Sequence, residues 1–153
     1  MMNSIFEQLK QKWEQEQTYK KSDVHLDDLT IFEEQNNILF PNDLTEYFKL
    51  FNGSKDYDGD FFLFYPLNEI KSQAEIAKEW NKPVKPENEE LYNNIYVFAE
   101  YCIHIYEYSI KLSNNPSIIN DIFVICGDNY KKIANSFSEF IQLYIEDSPK
   151  LYL

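Results

Sequence analysis

The sequence predicts an α+β fold: a central, mostly antiparallel sheet flanked by helices at both chain ends. Three observations predict it. Apolar residues recur at helical spacing near both ends, in SIFEQLKQKW from Ser4 and SFSEFIQLYIED from Ser136. Short runs of β-branched and aromatic residues fill the middle and are separated by turn residues such as SNNPS. The elements do not follow the strand-helix alternation that a parallel sheet requires. At 153 residues the chain matches one domain of about 150 residues, large enough to build a core without disulfides.

Taken in order, residues 4–19 read as a helix opened by a Ser4/Glu7 capping box, with Ile5, Phe6, Leu9 and Trp13 on one face. A second, short helix from Asp27 to about Gln35 takes Asp27 as its cap and ends at Asn36 and Asn37. Pro41 suits the first turn of a third helix, whose stripe is Leu44, Tyr47, Phe48 and Phe51 and whose stop is Gly53. Residues 55–60, KDYDGD, form an acidic turn. The apolar run Phe61 to Tyr65 suits a central strand covered on both faces, and Pro66 closes it. Asn68 can cap a helix to about Trp80 with a thin apolar face, and NKPVKPENEE after it is a surface loop. Strands are expected at 95–99, 103–108 and 122–126. The terminal helix carries a Ser136/Glu139 capping box and the stripe Phe137, Phe140, Ile141, Tyr144, Ile145.

Charge limits the partners. Asp plus Glu number 26 against 14 Lys and no Arg, a formal net charge of -12. Nucleic-acid readers use Arg forks or a basic stripe, and an anionic membrane repels such a chain, so no nucleic acid and no membrane is expected, and a basic partner is. Cys102 and Cys126 form no CxxC pair, so neither a disulfide framework nor a zinc site is signalled and a cytoplasmic, reduced state is expected. The charged N-terminus lacks the apolar stretch of a signal peptide.

Catalytic signatures are sparse. Cys102 and His104 lie two apart on an expected strand and share a face, the spacing of a nucleophile and base, although Tyr106 and Tyr108 continue that face as ordinary sheet surface. Asp58 with Asp60, or Glu89 with Glu90, offers the carboxylate pair of a glycosidase. Such work needs one pKa raised by burial, whereas these carboxylates read as solvated loop residues. Asp56, Asp58 and Asp60 alternate as calcium ligands do, but Gly59 falls before the third Asp and the twelfth-position Glu is missing. No catalytic residue, metal or cofactor is therefore assigned. Tyr92, Tyr96, Tyr101, Tyr106 and Tyr108 support two readings: they coat the sheet, or, partly exposed beside carboxylates, they make an interface.

Four stretches occur in an order that resembles the SUKH superfamily, Smi/Knr branch: FPNDLTEYFKLFNG (40–53), FYPLNEI (64–70), VFAE (97–100) and IANSFSEFIQLYI (133–145). The resemblance covers about residues 27–146 of a single domain over 1–153, leaving 1–26 as an N-terminal helical extension. It implies an α+β fold without catalytic residues, used as a protein-binding module. Most bacterial members of that superfamily are immunity proteins that neutralise polymorphic toxins, often nucleases; a fungal branch regulates cell-wall glucan synthesis, the alternative role that the resemblance implies for this chain, as a regulatory scaffold. Phe40, Pro41, Phe48, Gly53, Pro66, Leu67, Ile70, Phe137 and Phe140 match as fold determinants and do not locate a toxin site. Two features depart from the pattern. Phe40 replaces the usual Leu, and Glu100, Tyr101 and Cys102 stand where a Gly-rich hairpin is common. The expected partner is a basic toxin domain, because an acidic surface can mimic phosphate and steer encounter. Asp56, Tyr57, Asp58 and Asp60 are the first candidate contact patch, with Glu87, Glu89 and Glu90 the second.

Overall fold

The computed structural model describes residues 2–153, with side chains from Ser4 onward; Met1, included in the domain boundaries above, lies outside the described residues. Three helices precede the sheet: α1 (Met2–Gln15), α2 (Leu26–Asn36) and α3 (Asn42–Leu50). Short strands β1 (Phe62–Phe64) and β2 (Lys71–Ser72) lead into α4 (Gln73–Glu79) and α5 (Glu89–Asn94). A meander follows, β3 (Ile95–Tyr101), β4 (Tyr106–Lys111), β5 (Ile122–Cys126) and β6 (Asn129–Ala134), and α6 (Phe137–Glu146) closes the fold. All pairings are antiparallel, in the order β1-β3-β4-β5-β6, with β2 further along the same edge of β3 as β1. The α+β expectation is met. No helix among the described residues is long and apolar enough to cross a membrane.

The two terminal helices pack on each other over one face of the sheet. Phe6, Leu9 and Trp13 of α1 and Phe137, Phe140 and Ile141 of α6 are all fully buried, as the helical stripes predicted. Trp13 meets Phe51 and Phe64 edge-on at 5.2 and 5.1 Å, and Tyr47 meets Phe137 at 4.8 Å, geometry that aromatic quadrupoles favour. Side chains alternate along β5: Ile122 and Val124 join this main core, while Phe123 and Ile125 turn to the opposite face and pack with Tyr92 and Ile95 under α4 and α5. Asp43 on α3 accepts from the Ser138 amide and hydroxyl at 2.9 and 3.0 Å, tying α3 to the start of α6. Gly53 has φ +77°, and a Cβ there would sit 2.5 Å from the Phe64 carbonyl oxygen, so only glycine fits this turn.

Local expectations needed correction where side chains outside the element decide. Helix α1 starts at Met2 and stops at Gln15, so Ser4 lies inside it and caps nothing. In α2 the cap position is His25, whose amide donates to Asp28 Oδ2 at 2.8 Å. Pro41 precedes α3 instead of sitting in its first turn. The expected helix 68–80 is a 3-10 turn (Leu67–Glu69), strand β2 and a short α4 capped by the Ser72 hydroxyl. The run 61–65 contributes a three-residue strand at the sheet edge instead of a central one. Part of the expected loop 81–90 is ordered as a 3-10 turn (Pro86–Asn88) and the start of α5. The sequence reading did not include β6, whose first four residues are exposed and polar or amphipathic. Its lysines suit an edge strand, where charge blocks pairing with another chain.

Candidate functional site

The acidic turn separates into two kinds of carboxylate. Asp56 and Asp60 are exposed and Tyr57 is half-buried, but Asp58 is buried, which corrects the expectation that all these acids are solvated. Asp58 Oδ1 accepts from the amides of Asp60 and Phe62 at 2.8 and 2.9 Å, and Oδ2 from the Tyr144 hydroxyl, which itself accepts from Trp13 Nε1 at 3.0 Å. Burial pushes the Asp58 carboxyl up from its ordinary pKa, against the lowering effect of these donors. Three donors thus engage this carboxylate in holding the turn against α1 and α6, which gives Asp58 a structural role. Glu87, Glu89 and Glu90 are exposed. Glu89 and Glu90 occupy the first turn of α5, where negative charge suits the helix dipole. They precede β3, while the acidic turn lies by its far end; a seven-residue strand spans about 20 Å. The two predicted patches are therefore separate.

At that far end, β3 and β4 are joined by a hairpin whose Cys102, Ile103 and His104 all take left-handed backbone, φ +53°, +53° and +67°. The expected strand thus begins at Tyr106, and the shared face of Cys102 and His104 does not exist. The hairpin is present without its glycines. Each such residue costs about 1–2 kcal/mol, and the cost is met by contacts that hold the loop down. The Cys102 amide donates to the Phe61 carbonyl at 2.8 Å and the His104 amide to Glu100 Oε2 at 2.8 Å. Glu100 is only 2% exposed. It also accepts from the Tyr65 hydroxyl at 3.2 Å, and His104 Nδ1 lies 3.3 Å away. Burial, and then the Glu100 carboxylate, pushes the Tyr57 phenol up to about 12, so Tyr57 remains a neutral donor at physiological pH.

Around this hairpin four large apolar side chains reach solvent. Ile103 is 75% exposed, Phe61 60%, Trp80 57% and Ile105 52%. Asp60 directly precedes Phe61 in the chain, with Asp56 four residues further back, and Trp80 meets the His104 ring at 5.3 Å. The structure therefore brings Asp56, Tyr57 and Asp60 beside exposed Phe61, Ile103 and Ile105. Large apolar side chains within an acidic rim are the composition of a protein interface. Of the five tyrosines singled out by sequence, Tyr92, Tyr96 and Tyr108 are buried; Tyr101 and Tyr106 are partly exposed.

Beside the hairpin, on the sheet face covered by α4 and α5, lies a cleft of about 280 Å³ lined by Trp80, His104, Glu107 and Tyr92. Glu107 faces Glu100 across the β3/β4 ladder. Its Oε1 accepts from Gln73 Nε2 at 3.0 Å, and Gln73 Oε1 accepts from the buried Ser109 hydroxyl at 3.2 Å. The Tyr92 hydroxyl is buried without any hydrogen-bond partner among the described residues, an arrangement costing about 1–3 kcal/mol. Of these residues the sequence singled out Tyr92 as a possible interface tyrosine, Trp80 as the end of an expected helix and Glu100 as a departure from the family pattern, but it gave no sign that they meet one another; Glu107 fell inside the expected strand 103–108 and was not singled out. Among the described residues no group of three or more His, Cys, Asp or Glu side chains is placed to hold a metal.

Residues 23–143 match the model of the SMI1 / KNR4 family (SUKH-1). The match begins after α1 and ends within α6. No protein of curated function matches the chain.

Proposed function

The chain belongs to the SMI1/KNR4 (SUKH-1) family, and from that premise we propose that it is an immunity protein, one that neutralises a basic toxin domain by binding and occluding it. Members of this family are typically immunity proteins, generally non-catalytic and acting on a protein partner such as a toxin. One observation carries the reading to this chain: exposed Phe61, Ile103 and Ile105 beside Asp56 and Asp60, in a protein of net charge -12. The apolar tip supplies desolvated contact and the acids supply attraction to a cationic nuclease surface, raising the association rate at low salt. Tyr57 adds an aromatic side chain to this patch; Glu87, Glu89 and Glu90 form a separate, secondary one. The reading takes the chain as one non-enzymatic module acting in the cytoplasm, in keeping with unpaired Cys102 and Cys126.

The test is capture of partners on the tagged protein at low and moderate salt, with mass spectrometry, followed by assay of the captured domain's toxicity. A basic toxin domain inhibited by equimolar protein is expected, with association slowed at least tenfold by Asp56→Lys with Asp60→Lys. Asp58 is left intact because it is structural. Recovery of cell-wall synthesis proteins with no toxin would overturn the reading in favour of a regulatory scaffold.

A further inference from the structure

The cleft beside the hairpin has the features of a side-chain receptor. Three buried side-chain oxygens lack a hydrogen bond among the described residues, those of Glu16, Asp121 and Tyr92. The first two face Lys12 and Lys132 at 2.9 and 3.1 Å. Tyr92, 5% exposed, has neither kind of partner, and it lines the cleft. A buried hydroxyl left unpaired calls for an explanation in a missing ligand. Glu107 and Asp128 lie close enough to push the Tyr92 phenol up in pKa, after the larger effect of burial. The Gln73 amide donates to Glu107 Oε1, and Oε2 has no donor among the described residues. The walls are apolar, with Ile76, Val84 and Ile125 among them.

The cation acceptors in the cleft are Glu107 and the Trp80 indole. Besides these the cleft is lined by His104, by Asp128, which lies 3.9 Å from Lys85 Nζ, and by a single lysine, Lys82. Lys82 Nζ already lies over the Trp80 ring, 5.6 Å from its centroid, so the indole face is a cation acceptor within this protein. A planar, delocalised cation can stack on the indole and fork onto a carboxylate at once, which an ammonium cannot.

Building on the reading of a basic protein partner, we propose that this cleft receives an arginine side chain of that partner. Its methylenes lie against Ile76, Val84 and Ile125. Its guanidinium is held between the Trp80 indole, the Glu107 carboxylate and the Tyr92 hydroxyl, displacing Lys82. A partner approaching the Asp56/Asp60 surface thereby gains an anchor beside the hairpin, with charge complementarity provided by a chain of 26 acids and 14 lysines.

The experiment titrates the ¹⁵N-labelled chain with N-acetyl-arginine methylamide and with its lysine and citrulline counterparts. The readout is the Trp80 indole N–H, with the buried Trp13 indole as internal control. Saturable movement of Trp80 with a dissociation constant on the order of 1 mM is expected for arginine, weaker binding for lysine and none for citrulline. Glu107→Gln, which keeps the acceptor for Gln73, should weaken binding about tenfold. Lys82→Ala should strengthen it about threefold by clearing the indole. Tyr92→Phe separates ligand recognition from structure, because losing an unpaired buried hydroxyl should raise thermal stability while lowering arginine affinity. No saturation, equal binding of citrulline or lysine, or wild-type affinity in Glu107→Gln or Tyr92→Phe would overturn the proposal. Those results leave partner capture and the Asp56/Asp60 reversal unaffected, so failure of the anchor is distinguishable from failure of the toxin reading.

Discussion

Asp58→Ala is the substitution whose cost the structure defines most directly. It removes the acceptor for three donors, two of which cannot reach water. The Phe62 amide belongs to a buried residue and the Tyr144 hydroxyl lies between Asp58 and Trp13, whereas Asp60 is exposed and its amide can be rehydrated. Two stranded buried donors cost about 1–3 kcal/mol each, and release of a desolvated carboxylate offsets part of that, leaving a net loss of about 2–4 kcal/mol. In urea, with a slope of about 2 kcal/mol/M, the midpoint should fall by about 1–2 M at pH 7. Trp13 fluorescence reports the transition because its indole belongs to the same network. A midpoint within about 0.3 M of wild type would refute the assignment of Asp58 as a structural acceptor. The pH dependence is a second arm, read against Asp58→Asn, which keeps an oxygen for the two amides. Burial raises the folded-state pKa of Asp58 above that of the unfolded chain. Its contribution to stability is therefore fully present below the unfolded pKa and is lost as pH rises through the folded one. The wild-type advantage over Asp58→Asn should grow on acidification from pH 7 to pH 4; shrinkage instead would mean that the hydrogen bonds outweigh desolvation.

Gly53→Ala should lower stability by about 3 kcal/mol or more, because the methyl meets the backbone of Phe64, Tyr65 and Pro66 at 2.5–2.8 Å and the φ of +77° adds strain; a thermal midpoint equal to wild type would show that the turn relaxes freely. Ile103→Gly should act in opposite senses on folding and binding. Relief of left-handed strain at a β-branched residue should raise stability by about 1 kcal/mol, or about 2–4 °C in a chain of this size, while loss of an exposed apolar side chain should weaken capture of the partner. Unchanged partner affinity would remove the hairpin tip from the interface.

Legibility followed the range over which each feature is determined. The terminal helices and α3 were readable because the 3.6-residue period states which side chains turn inward, and Phe6, Leu9, Trp13, Phe137 and Phe140 do so. Gly53 was readable as a stop, though not the reason only glycine serves there, since the clash is with a strand eleven residues on. Asp56, Asp58 and Asp60 look alike in the chain. What distinguishes Asp58 is Tyr144, 86 residues away. The edge strand β6 has no apolar alternation to betray it, and it exists because β5 offers it a ladder.

Composition and local periodicity by themselves determined the α+β class, the aromatic core and the acidity. These properties depend on residue type and short-range spacing, which folding does not alter. Tertiary structure alone decided which loop acid is buried, that a hairpin without glycine holds Ile103 in water, and that Tyr92 and Glu107 share a cleft with Trp80. Each of these arises from register and packing between segments distant in the chain, where burial changes what a carboxylate or a hydroxyl costs and therefore what it can bind.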